Sequence, residues 1–560
     1  MGGPRRAERG GTDVDEFSAG CLPGTESGGY IKDILQKDND MNIKQAKEYI
    51  KQTVQLYLKK DEFDRYRIPV VRQRPIFLIG APGLGKTAIM EQIVGELQIA
   101  LVSYSMTHHT RQSALGLPFI KHCTYGGEEV DITEYTMSEI ISSIYDTMEA
   151  SGIREGILFL DEINCVSETL SPSMLQFLQY KVFGRHSVPD GWVIVTAGNP
   201  PEYNKSVREF DVVVMDRLKI MQVTPDYSIW KDYALAKGLH PAIINFLDLK
   251  TEFFYKIENT AAGRTYVTAR GWEDLSEIIR LYEEEKLPVM EELIGQYICN
   301  EDAVKEFGAY YDLYNKYKKD YRVDEILSGT IDDKAVERAA KAPFDERLSL
   351  LGMLLDAINS QIRDVIGRTD YLSQLAPILK GIMNTLEAGK SSAGDAADAD
   401  ASADGAEYAD AAQLTADALL LKTSQNMLTR LNALKKAGAL SDDKERSMRS
   451  CIRFFENARR EVLGSDFGAA KEMYAGELND IKAQRIRVKD SIRYLFEFAD
   501  KAFEGGNEMV ILVTSLTVNP YAAKFIARFG SDEYKAHSDE LMIAKRTQEL
   551  KAEVDELLEL

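Results

Sequence analysis

Cysteine is scarce and scattered in this sequence: Cys21, Cys123, Cys165, Cys299 and Cys451 are the only five, and no two form a CxxC pair. That spacing excludes a cysteine zinc site, argues against a disulfide framework, and fits reduced, mostly buried thiols. Long apolar runs are missing too. The longest, Met509 to Val518, is broken by Thr and Ser and falls well short of the roughly 18 residues that span a bilayer, so no membrane crossing is expected. The third deficit is in positive charge, with 68 Lys and Arg against 89 Asp and Glu, a net charge of −21. A field of that sign repels polyphosphate backbones, which disfavours general nucleic-acid binding and makes a protein partner the better expectation. The basic N-terminal stretch MGGPRRAERGG is followed by no apolar h-region, so a cytoplasmic chain is expected.

What is present is enough apolar residue for sizeable cores, 44% of the chain beside 28% charged. At 560 residues the chain exceeds a single core, and about two to four domains are expected. Residues 1–40, rich in Gly and charge, read as a flexible leader, with Met41 as an alternative start. From Asn42 to Lys60 the positions Ile43, Ala46, Ile50, Val54 and Leu58 recur at helical spacing. Short apolar runs then alternate with helical patterns. Ile76 to Ile79, Ile99 to Val102, Ile157 to Leu160, Trp192 to Val195 and Ile220 to Val223 read as buried parallel strands, which predicts a doubly wound α/β core over 41–225. Beyond Asp226 no strand is evident and helix-on-helix packing is expected, in a region 291–390 and a C-terminal region 413–560. Leu351, Leu355, Ile358, Ile362 and Val365 form one core stripe; Val488, Ile492, Leu495, Ala499 and Phe503 form another. Between the two regions lies an Ala/Asp run, 391–412, with too little apolar surface to pack, expected to be a disordered acidic linker.

The chemistry concentrates in three segments. GAPGLGKT (Gly80, Ala81, Pro82, Gly83, Leu84, Gly85, Lys86, Thr87) follows a predicted strand and opens a predicted helix, the context a phosphate-binding loop requires. Its glycines let backbone N–H groups and the helix N-terminus meet phosphate oxygens, Lys86 reaches the β- and γ-phosphates, and the Thr87 hydroxyl serves Mg2+. GILFLDEIN places Asp161 and Glu162 at the end of a buried strand, the first to hold Mg2+ and the second to polarise an attacking water. WVIVTAGNP ends the next strand in Asn199, a neutral polar group able to orient that water, although an Asn before Pro is commonly a turn residue.

In that order the three segments resemble the Walker A, Walker B and sensor 1 segments of the AAA+ ATPases, and most closely those of the MoxR group, over roughly residues 65 to 280. The resemblance implies an AAA+ P-loop fold with a helical lid over 226–290, binding of ATP and Mg2+, hydrolysis of the β-γ phosphoanhydride, and assembly as a homo-hexamer. It makes Arg217, in Asp216-Arg217-Leu218, the arginine finger that reaches a neighbouring subunit's site, with Arg208 as the competing candidate. It makes Arg270, in Thr268-Ala269-Arg270-Gly271, the sensor 2 residue. It also implies a client bearing a von Willebrand factor A domain, and remodelling or activation of that client as the function.

Two departures from the group stand out. Cys165 follows Asn164 where an arginine is usual, and Met106 to Leu117 lacks the aromatic-hydrophobic pair with which threading unfoldases grip polypeptide, so processive unfolding is not expected. The neighbours His108 and His109 lack further ligands at usable spacing for a metal. Lys121 to Asp131 and Lys181 to Gly191 carry Gly-centred turns and read as projecting hairpins, either client-contacting or ordinary surface. Two other functions compete with client remodelling. One is a nucleic-acid-dependent motor, supported only by the interrupted basic run Lys59 to Arg74; the other is a nucleotide-controlled binding switch with little turnover.

Overall fold

The computed structural model describes residues 40–108, 110–204, 206–208, 210, 212–260, 263–330, 332–396, 415–461, 467–504 and 506–542. The leader expected over 1–40 therefore lies outside the described residues but for its last position. The first strands are β1 (Ile76–Gly80) and β2 (Ala100–Ser105), followed by β3 (Pro118–Tyr125) and β4 (Glu128–Tyr135), then β5 (Gly156–Asp161), β6 (Trp192–Gly198) and β7 (Lys219–Val223). Five of them form a parallel sheet in the order β7-β1-β6-β5-β2. Beyond β7, the Met41 carbonyl accepts from the Thr224 N–H at 3.0 Å.

These strands read as apolar runs because both faces of the sheet are covered. Side chains alternate between the faces. Ile76, Leu78, Ile157, Phe159, Val193 and Val195 pack under α1 (Ile43–Tyr57) and α2 (Lys86–Leu97). Phe77, Leu158, Leu160, Trp192 and Ile194 pack under α3 (Glu139–Ser151) and α4 (Ser171–Tyr180). The strand expected at Ile99 to Val102 runs on to Ser105, because its later residues, Ser103 to Ser105, lie at the open edge of the sheet where apolar character is not demanded. The insert expected at Lys121 to Asp131 is a longer hairpin, β3 with β4, paired from Pro118–Tyr135 to Tyr125–Glu128. Its two-residue turn, Gly126-Gly127, has φ of 62° and 95°, which glycine adopts without strain. The second insert is a short hairpin of Val182–Phe183 and His186–Ser187.

One expectation is corrected beyond Asp226. Between α5 (Tyr227–Lys237), α6 (Pro241–Leu249) and α7 (Ala269–Glu284) lies an antiparallel hairpin, β8 (Lys256–Thr260) with β9 (Gly263–Val267). It escaped the apolar pattern because its residues are mostly polar and exposed; of the described ones only Val267 is fully buried. The remaining chain is helical as expected: α8 (Glu301–Tyr321), α9 (Phe344–Ala396), α10 (Ala416–Lys436), α11 (Asp442–Glu461), α12 (Gly468–Phe503), α13 (Asn507–Val518) and α14 (Pro520–Phe529). The acidic run 391–412 lies outside the described residues except where α9 continues to Ala396. Both sequence stripes are buried, in a core that also contains Trp230, Phe246 and Trp272 from α5, α6 and α7.

Among the described residues no single helix is long and apolar enough to cross a membrane. The run Met509 to Val518 is α13, whose Met509, Leu512, Val513 and Leu516 sit in that helical core. The Asn519-Pro520 break bends α13 against α14 by 85°. Asn519 caps α14 by accepting from the N–H groups of Tyr521 and Ala522, and its Nδ2 donates to the Leu235 carbonyl at 3.2 Å.

Polar groups tie the same interface. His240 is fully buried at the start of α6; its Nδ1 accepts from the Ala242 N–H at 3.2 Å and its Nε2 lies 3.3 Å from Glu283 Oε1. Burial lowers the His240 pKa, so the ring is neutral and donates through Nε2. Glu283 also accepts from the Tyr311 hydroxyl and the Lys318 ammonium, each at 3.0 Å. Burial alone would raise its carboxyl, yet these hydrogen bonds and the Lys318 charge hold it below the usual range. Arg280 joins the Gly238 carbonyl to Asp356, at 2.9 Å each.

Candidate nucleotide-binding site

The site lies at the C-terminal end of the sheet, where β1, β5 and β6 deliver Gly80, Asp161 and Gly198 side by side. The loop from Gly80 turns through Gly83 and Gly85, at φ of 76° and 85°, and enters α2 at Lys86. Gly85 caps α2 with no side-chain hydrogen bond, so the first-turn N–H groups remain as anion donors at the positive end of the helix. Gly83 is also needed for space. A Cβ there would come within 3.1 Å of Thr268 Cβ and 3.6 Å of Arg270 Cβ, which brings the first turn of α7 directly over the loop.

Lys86 is buried, and its ammonium donates to the Gly80 carbonyl at 2.7 Å, the Ala81 carbonyl at 2.9 Å and Asn199 Oδ1 at 2.9 Å. Burial lowers its pKa to about 8; Asp161 and Glu162 oppose that shift and the Arg270 charge adds to it. A bound polyphosphate would reverse it by supplying the negative charge the site is short of. The Thr87 hydroxyl donates to Asp161 Oδ2 at 3.3 Å, and Asp161 Oδ1 accepts from the Glu162 N–H at 2.9 Å. One hydroxyl and one carboxylate, both hard oxygen donors, suit a cation that takes its remaining ligands from phosphate and water, as Mg2+ does. No cluster of three or more His, Cys, Asp or Glu among the described residues offers an all-protein metal site. The side chains of His108 and His109 lie outside the described residues.

Glu162 has a left-handed backbone, φ 56° and ψ 35°, a conformation that costs a non-glycine residue about 1 kcal/mol or more. Its Oε2 accepts from the Ser105 hydroxyl and the Thr107 hydroxyl, each at 3.0 Å. Asn199 is fixed from two sides: Oδ1 holds Lys86, and its carbonyl accepts from Asn164 Nδ2 at 2.8 Å. Gly198 makes that possible, because a Cβ there would fall 2.4 Å from Asn164 Oδ1. Cys165 is half-buried and takes a hydrogen bond from Asn204 Nδ2 at 3.3 Å. Burial, then the Glu162 and Asp161 charges, raise its thiol pKa and keep it protonated.

The structure thus brings together Gly80, Lys86, Thr87, Asp161, Glu162 and Asn199, and sets Arg270 beside them on the lid, exposed. It does not bring in the two other arginines. Arg217 is exposed and donates to Gln179 Oε1 on α4 at 2.8 Å, whereas Arg208 pairs with Glu168. Among the described residues Arg217 has no carboxylate partner, so of the two it is the one left available to another molecule.

Sequence reading missed five contributors: Ser105, Thr107, Asn164, Tyr255 and Arg264. The Tyr255 hydroxyl donates to the Pro82 carbonyl at 2.9 Å, and the Arg264 guanidinium donates to the carbonyls of Tyr203 and Glu202 at 3.0 and 2.9 Å. Both come from the lid and grip loops on either side of Lys86. A hydroxyl pair closing the strand next to β5 was the available signal for Ser105 and Thr107.

Residues 76–215 match the family model described as ATPase family associated with various cellular activities (AAA). That interval begins at β1 and contains the loop, the carboxylate pair and Asn199. A search of curated proteins finds no match to the chain. A parallel α/β sheet, a phosphate-binding loop at its C-terminal end and this family match agree: the chain carries an ATPase domain of the AAA family.

Proposed function

We propose that this chain is a MoxR-like AAA+ ATPase that assembles as a cytoplasmic ring, hydrolyses Mg-ATP and uses the cycle to remodel a protein client. The observation that carries this reading is the convergence of Lys86, Asn199, Asp161 and Thr87 on one loop with lid residues seated over it. Backbone N–H groups of the loop and α2 hold the phosphates, and Lys86 exchanges its carbonyl acceptors for phosphate oxygens. Thr87 and Asp161 would hold Mg2+, which when bound neutralises charge on the phosphate oxygens. Glu162 accepts the proton of the attacking water once its carboxylate leaves Ser105 and Thr107, and Asn199 orients that water. Arg270 meets the terminal phosphate from the lid. Arg217 acts in the neighbouring subunit, which makes hydrolysis depend on assembly. A homo-hexamer and a client bearing a von Willebrand factor A domain complete the proposal, by the resemblance to the MoxR group.

Within the run Lys59 to Arg74 that favours a nucleic-acid motor, Lys60 pairs with Asp64 and Glu155 and Arg65 pairs with Asp61, whereas Lys59, Arg67, Arg72 and Arg74 are exposed, so this alternative keeps part of its local support. The low-turnover switch keeps one supporting observation, the clamped Glu162 carboxylate.

Turnover per subunit across a wide range of protein concentration, for the wild type and Arg217→Ala, tests the ring. We expect specific activity to rise with concentration and the variant to lose at least about 10³-fold of it. A flat wild-type profile with an unaffected variant would leave the nucleotide site standing and overturn the assembly reading.

A further inference from the structure

The C-terminal region is attached to the rest of the chain at two separate places. Its main body shares a core with the lid: α9 and α13 contribute Leu351, Ile358 and Leu512 to the cluster that holds Trp230, Phe246 and Trp272. The hairpin α10–α11 packs on that body, with the Tyr521 hydroxyl of α14 donating to Asp443 beside its tip. Its far end, near Leu420, Cys451 and Phe455, belongs to the lid-sharing core. Its tip, Ala437 and Ala439, belongs instead to the core beneath the parallel sheet.

The tip docks on the open edge of the sheet. The Leu101 N–H of β2 donates to the Ala437 carbonyl at 2.8 Å, continuing the sheet's hydrogen bonding by one residue. Gly438 has φ 61° and lies against Leu101 so closely that a Cβ would sit 3.0 Å from Leu101 Cβ. Lys444 donates to Gln98 Oε1 at 2.8 Å, and Gln98 is the residue that ends α2, the helix that begins with Lys86. One short turn therefore holds the far end of the phosphate-loop helix and the start of the strand whose other end, Ser105, binds Glu162.

The lid closes the circuit. It touches the phosphate loop through Tyr255 to Pro82 and through Thr268 against Gly83, while Asn519 and Arg280 fasten it to the C-terminal helices. Any change in lid-to-sheet spacing that accompanied nucleotide binding would have to be absorbed somewhere in this closed loop of contacts. The tip is a small link in this circuit, with one backbone hydrogen bond, one exposed polar contact and two alanines in the buried seam, beside Leu434 where α10 packs on α3.

We propose that the hairpin α10–α11 is an intramolecular strap that restrains the lid against the sheet, slowing nucleotide release and turnover until its tip is lifted from β2. The proposal rests on the nucleotide-site reading above. Release of a fluorescent ADP analogue from the full chain reads the strap even if hydrolysis is absent; Mg-ATP turnover is measured beside it. Gly438→Val fills the contact and strains a left-handed backbone; it should speed ADP release about ten-fold, the scale of losing roughly 1.4 kcal/mol of restraint. Lys444→Ala removes only an exposed contact, cannot unfold the chain, and should speed release about two-fold. Release within error of wild type for Lys444→Ala and for Gly438→Val overturns the strap while leaving the nucleotide site intact. A wild-type chain that binds no ADP analogue at all refutes the site reading, and the strap falls with it.

Discussion

Two polar clusters of this molecule make opposite use of buried charge. At the lid–tail junction, Glu283 is met by a neutral histidine, a tyrosine and a lysine, and Arg280 by a carbonyl and a carboxylate. At the end of the sheet, Lys86 leans on two loop carbonyls and an amide, its pKa is depressed, and Glu162 sits on a strained backbone clamped by two hydroxyls. Paired charge holds elements in place; charge short of its natural partner is kept ready for a ligand.

Three changes would sharpen or break this contrast. Glu162→Gln should reduce turnover by about 10² to 10⁴ and leave nucleotide affinity within a few-fold, because the amide keeps the shape but cannot take a proton. Retained turnover in a steady-state assay would place the base elsewhere. Ser105→Ala with Thr107→Val frees the same carboxylate and should raise turnover about thirty-fold, the scale of roughly 1 kcal/mol for each of the two hydrogen bonds lost from the resting position. A fall would mean that the hydroxyls orient Glu162 rather than hold it back. The smallest effect belongs to the junction. Because the Glu283 carboxyl is held below its ordinary value of 4.5, its ionised form contributes stability that is fully present above that pH and is lost as pH falls below it. Glu283→Gln should cost about 1 to 2 kcal/mol in denaturant unfolding at pH 7 and much less at pH 3, with turnover unchanged. Equal losses at both pH values would show that the carboxylate charge plays no part.

The residues legible in the sequence are those whose partners are local or fixed by one strand. GAPGLGKT is strand, loop and helix in a single stretch, and Asp161, Glu162 and Asn199 announce themselves by ending apolar runs. Ser105 and Thr107 were hidden because their relation to Glu162 comes from strand order: β2 neighbours β5 only in the folded sheet. Tyr255 and Arg264 were hidden because they lie just before and within a hairpin that is polar and short, so no period of two stands out. Helices of the C-terminal region could be read from their stripes, but periodicity says which face is buried and not against what. That is why the docking of Ala437 on Leu101, and of Asn519 on Leu235, had to be seen.

The hairpin β3–β4 has eight residues in each strand and so is about 26 Å long, with Phe119, Ile120, Tyr125 and Val130 exposed along it. A lone two-stranded ribbon is barely stable in water, so this one depends for its order on the contacts at its root. Near its root, Glu134 pairs with Lys121 of the same ribbon and with Arg185 of the short hairpin that leads into β6. Since β6 ends at Gly198, next to Asn199, a tug on the ribbon has a mechanical route, through a single carboxylate, to the residue that steadies Lys86.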